Sequence, residues 1–157
     1  MQTKRILRHI ACAALGAGLL GSPVCAGQSH PNKDARAAFD GLSREMSTCA
    51  AYFSLLASII EKAKGSEASV EIAHRIKSTG QLMLAQSINI AKYIGLSDDV
   101  VMQRVQEALK EMVDIVNGDP PNSLRVMHAN YGQPCDELLQ SAPERFAELL
   151  EDHEEEF

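Results

Sequence analysis

Apolar and small residues recur three and four positions apart through most of the chain, and no stretch alternates with period two. Residues 34–64 carry Phe39, Leu42, Met46, Cys49, Phe53, Leu56, Ile60 and Ala63 at alternating steps of three and four. That spacing is one face of a long amphipathic helix, with Gly65 placed to end it in a left-handed cap and Gly41 at a point where it can bend. A second helix is expected over 66–94, with the stripe Ala73, Ile76, Gly80, Met83, Ser87, Ile90 and Ile94, and Gly95 stops it. Gly80 and Ser87 on that stripe admit the backbone of a neighbouring helix, or leave space for a small ligand. Ser97, Asp98 and Asp99 open a third helix that buries Val101, Val105, Leu109, Met112 and Val116 and ends at Gly118.

Asp119, Pro120 and Pro121 cannot continue a helix, because proline lacks the donor and restricts the residue before it. The pattern then predicts three shorter helices: 123–131 ending at Gly132, one opened by Pro134 and running to Leu139, and a last one whose Ser141 and Glu144 have the form of a capping box. That last helix presents Phe146, Leu149 and Leu150. Long helices joined by breaks of two or three residues fold back on one another. The expected fold is all-α: a small antiparallel helical bundle of three long and two or three short helices over 34–150.

The beginning of the chain is different. Lys4, Arg5 and Arg8 precede an apolar run over 10–20, followed by Gly21, Ser22, Pro23 and the small-residue end Val24-Cys25-Ala26. This is the form of a secretory signal peptide over 1–26, cleaved after Ala26, with a polar lead-in over 27–33. The apolar run is well short of the ~20 residues a membrane span needs, and Ser22-Pro23-Val24 is a poor lipoprotein signal before Cys25. Stable membrane insertion after cleavage is therefore not expected, and the protein is read as periplasmic or secreted. Cys12 and Cys25 leave with the signal, so Cys49 and Cys135 remain to form one disulfide in an oxidising compartment.

Charge sharpens this picture. The 157-residue chain has a net charge of −6, and loss of the three basic signal residues makes it −9. Residues 144–157 hold −6 of that total, so the acidity gathers in a terminal segment, with 151–157 as an acidic tail. A surplus of acids argues against nucleic acid as a partner, since phosphate binding requires a surplus of Lys and Arg. The same acids favour fast encounter with a protein partner of basic character.

Catalytic and metal motifs are absent from the sequence. Glu71 and His74 form a single Glu-x-x-His unit, whereas di-iron bundles need two with further inward carboxylates, so a solvated helix surface is expected there. No G-x-S-x-G, phosphate loop or C-x-x-C occurs, and Ser43, Ser47 and Ser54 read as ordinary helix serines facing solvent. Neither an enzyme nor a cofactor is expected. The most unusual stretch is 124–135, which gathers Arg125, Met127, His128, Asn130 and Tyr131 beside Cys135. Tyr, Arg and Met are enriched at protein interfaces, which makes these five residues the candidate partner contacts. The competing assignment places Leu124, Met127 and Tyr131 on the core face of a short helix.

The segments Cys49-Ala50-Ala51-Tyr52-Phe53 and Tyr131-Gly132-Gln133-Pro134-Cys135 resemble a cysteine pair of uncharacterised exported bacterial helical proteins. That resemblance implies a fold and no activity. In architecture alone, a signal followed by a disulfide-pinned bundle, the chain also resembles the periplasmic immunity proteins that neutralise type VI secretion effectors. The function expected is that of an exported protein-binding module such as an immunity or inhibitor protein, with a ligand-binding or metal-binding bundle as the alternative.

Overall fold

The computed structural model describes residues 32–63, 66–118 and 122–154. The expected signal, its cleavage site, the cap at Gly65 and the last three residues lie outside them. Five α-helices follow one another: α1 (Lys33–Lys62), α2 (Glu67–Tyr93), α3 (Asp98–Gly118), α4 (Ser123–Met127) and α5 (Gln133–Glu154), with a π-helical turn, His128–Gly132, joining the last two. No strand occurs among the described residues, and Cys49 is bonded to Cys135.

The long helices begin and end for local reasons. Asn32 caps α1 by accepting the N–H of Ala35 at 2.7 Å, so the helix starts one residue before the expected boundary. At the end of α2, Gly95 adopts φ +77° while the N–H of Gly95 bonds Lys92 O and that of Leu96 bonds Ala91 O. This is the paired bonding of a Schellman cap, which needs a residue without a Cβ penalty at the left-handed position.

Helix α1 is the axis of the fold. Cys49, Ala50, Ala51, Tyr52 and Phe53 are all buried, and five successive residues at 100° steps encircle a helix completely. The expected single stripe is thus too narrow at mid-helix, because α2, α3 and α5 all pack on α1. Contacts fix their directions. Ser87 bonds Ser43 and Ser47, whereas Gly80 lies against Ala50 and Phe53, so α2 runs antiparallel to α1. Arg104 near the start of α3 reaches Asp40, and α5 descends from Cys135 at Cys49 to Phe146 beside Phe39.

Small residues set the α1–α2 approach. A Cβ on Gly80 would lie 3.2 Å from Ala50 O and 3.2 Å from Phe53 Cβ, so this glycine brings the helices together and leaves no cavity. Two turns further along α2, Ser87 is fully buried with Ser43 and Ser47 of α1, which corrects the expectation that Ser43 and Ser47 face solvent. Each finds a backbone acceptor: Ser43 Oγ donates to Ser87 O (3.1 Å), while Ser47 and Ser87 donate to Ser43 O (2.9 and 2.8 Å). Satisfied in this way, the hydroxyls escape the ~1–3 kcal/mol cost of an unpaired buried donor.

The C-terminal third departs most from expectation. Residues 123–154 are helical without a break, so the two expected final helices are one, α5, with Pro143 inside it. Ser141 does not cap a new helix. Its hydroxyl bonds back to Glu137 O at 3.0 Å, the alternative open to serine inside a helix. Helix α5 continues through Glu154, into the stretch expected to be an acidic tail.

Candidate functional site

The π turn is dictated by spacing. Ser123 and Met127 are buried four residues apart, Met127 and Gly132 five apart, then Cys135 and Leu138 at steps of three. An α-helix cannot keep positions five apart on one face, whereas a π turn does, and its i→i+5 bond is present from the N–H of Gln133 to His128 O.

Within the turn, the side chain of His128 folds over Gly132. A Cβ at 132 would collide with the imidazole, reaching Cε1 at 2.6 Å and the Tyr52 hydroxyl at 2.8 Å, so Gly132 serves close packing and does not end a helix. The Tyr52 hydroxyl, itself on a residue only 3 % exposed, lies 3.0 Å from His128 Nδ1. With the imidazole proton on Nε2, the phenol donates to Nδ1. Burial, then the charge of Asp136, pushes the Tyr52 phenol above its ordinary value and keeps it protonated. Tyr131 is half-buried, and its phenol is raised by burial and by the charge and hydrogen bond of Glu111 on α3. The disulfide adds a covalent tie from α5 to the middle of α1.

The five candidate contact residues separate on this frame. Met127 is 1 % exposed and belongs to the core, so it is removed from the surface set. Tyr131 packs partly against the core, while Arg125, His128 and Asn130 are exposed. Leu124, expected on the core face, is 48 % exposed, and Val126 is 40 % exposed. The signal for this was present: 124, 125 and 126 cannot all turn inward on one short helix. What results is a ridge that wraps the short helix, Leu124, Arg125 and Val126 fanning over ~200° of its surface, followed by an imidazole and an amide, with Met127 as its root.

The other sequence candidates stay apart. His74 is exposed, and Glu71 is engaged by Arg75 in an exposed ion pair. No group of three metal-ligating side chains forms among the described residues, and none of their helices is long and apolar enough to cross a membrane. Between α2 and α5 a groove of about 330 Å³ opens, floored by Met46, Ile90 and Phe146 and rimmed by Gln86 and Asn89.

No protein-family model matches the chain, and neither a curated protein nor a solved structure is found to be similar to it.

Proposed function

We propose that the protein is an exported binding module that works by covering a secreted or periplasmic protein, as an immunity or inhibitor protein does. One observation carries this reading: Leu124, Arg125 and Val126 stand exposed in succession on a segment held by the π turn, the Tyr52–His128 bond and the Cys49–Cys135 disulfide. Aliphatic and arginine side chains on a backbone already held in place suit a hot spot, since that backbone loses little entropy on binding. The signal-like start and the cysteine pair support an oxidising compartment. The groove between α2 and α5 is the observation that favours the alternative, a carrier or sensor of a small apolar ligand.

Site-specific photo-crosslinking in the exported full chain tests the proposal. A crosslinker at Val126 should trap one discrete protein, competed away by unlabelled protein and weakened at least tenfold by Arg125→Glu, whereas the same group at exposed Ser78 on α2 traps none. Identical or empty patterns at the two positions would refute it.

A further inference from the structure

A second feature lies around Arg36, about 24 Å along α1 from Tyr52. There the start of α1, the α2–α3 turn and the start of α3 border an open cleft of about 430 Å³. Four cations line it, Lys33, Arg36, Arg44 and Arg104, against the single carboxylate of Asp40, a local balance of +3 in a chain whose net charge is −6.

The cations are not equivalent. Asp40 holds two guanidiniums at once, Arg104 at 2.6 Å through one oxygen and Arg44 at 2.8 Å through the other. The Arg104 side chain is only 10 % exposed and also reaches Ser43 Oγ at 3.4 Å, so it is locked in place by the buried serine cluster. Asp40 is thereby spent. Lys33 and Arg36 lie one turn apart on the same side of α1, and among the described residues no carboxylate holds either of them. Asp34 is not part of the lining, and Asp98 nearby is engaged by Lys92 at 3.1 Å. Facing these cations are the half-buried aliphatic side chains of Leu96 and Val100, placed by the left-handed turn at Gly95, with buried Ile94 behind them.

We propose that this cleft binds a phosphate or carboxylate group borne on a short apolar body. Lys33 and Arg36 take the anion, oriented by the Arg44–Asp40–Arg104 array, while the hydrocarbon lies against Leu96 and Val100. Arginine suits this role because its planar fork matches phosphate and carboxylate oxygens in pairs. An aliphatic wall opposite unmatched cations selects an amphiphilic anion over a bare one, since only the former removes apolar surface from water. The cleft volume falls within the usual range of small-ligand sites.

Calorimetric titration of the full chain with hexyl phosphate, inorganic phosphate and dihexanoyl phosphatidylglycerol tests this at low salt. Hexyl phosphate should bind saturably and at least ~10-fold more tightly than inorganic phosphate, because several methylenes are buried. The double variant Lys33→Gln/Arg36→Gln should weaken hexyl phosphate at least ~10-fold with an unchanged melting temperature, both residues being exposed. Arg125→Gln, on the ridge, should leave binding unaltered. Tighter binding of the phosphatidylglycerol identifies a lipid headgroup as the source, and its exclusion with hexyl phosphate still bound identifies a soluble ester. No saturable heat at ~10 mM hexyl phosphate, no preference over inorganic phosphate, or equal affinity in the double variant would overturn the proposal.

Discussion

The bond between Tyr52 and His128 lends itself to a double-mutant cycle, because its two ends sit in opposite environments. Tyr52 is 3 % exposed, whereas His128 reaches solvent. Replacing His128 with Ala leaves a buried hydroxyl with no partner, a cost of ~1–3 kcal/mol. Replacing Tyr52 with Phe leaves only an imidazole that water can satisfy, so ~0.5–1.5 kcal/mol is expected. Once the phenol hydroxyl is gone the loss of His128 costs little more, which gives a coupling of ~1–3 kcal/mol, the size of the His128→Ala cost. Gly132→Ala provides a geometric control. Its methyl would come within 2.6 Å of His128 Cε1 and 2.8 Å of the buried Tyr52 hydroxyl, so it should expel the ring, displace the phenol as well, and cost at least as much as His128→Ala. The chain has no Trp, so urea unfolding is followed by far-ultraviolet circular dichroism. Costs that add within ~0.3 kcal/mol in the double variant would refute the reasoning.

Three further outcomes follow from other parts of the fold. The disulfide closes a loop with a sequence separation of 86, for which chain entropy assigns ~4–5 kcal/mol, so Cys49→Ala/Cys135→Ala should lower the urea midpoint sharply, with a steeper slope because the unlinked unfolded chain exposes more surface. Burial pushes the Asp40 carboxyl upward, but the hydrogen bonds and charges of Arg44 and Arg104 outweigh it and hold it below its usual value. Its folded value is therefore below its unfolded one, and the stability it contributes, full above the ordinary carboxylate value, is lost as pH falls through the folded value. Asp40→Asn should flatten acid unfolding in that window, as read from melting temperature against pH. Deleting 151–157 removes exposed Glu151 and Asp152 with the acids that follow, and should slow association with a basic partner while shifting the melting temperature by only a few degrees. A large loss of stability would show that this end of α5 is packed.

Helical periodicity made α2 and α3 legible almost residue by residue: Ala73, Gly80, Met83, Ser87, Ile90 and Ile94 are buried as expected, as are Val101, Val105 and Met112. The cysteine pair followed from counting the thiols that remain once the expected signal over 1–26 is set aside. Periodicity failed where a helix has neighbours on every side. A single stripe cannot describe Cys49 to Phe53, nor Ser43 and Ser47, which it leaves toward solvent and which α2 buries. Local punctuation also misled. Gly132 and the Ser141/Glu144 pair look like helix ends, yet their backbones stay helical because long-range contacts outweigh local preference: the imidazole fills the space over Gly132, and the disulfide holds α5 on α1. The basic cleft joins residues some 60 positions apart, Asp40 with Arg104, and no linear spacing announces it.

The π turn also records something about chain length. One residue more than an α-helix requires lies between Met127 and Gly132, and the widened turn absorbs it without rotating the two buried faces out of phase. Removal of exposed Ala129 should let the segment close into ordinary α-helix with Ser123, Met127, Gly132 and Cys135 still facing inward. The same deletion inside α5, at Glu137, would turn everything beyond it by 100° and bury charge. This part of the chain is thus one whose length can change by a single residue while the fold survives, and what such a change discards is the seating of His128 over Gly132 and the shape of the ridge beside it.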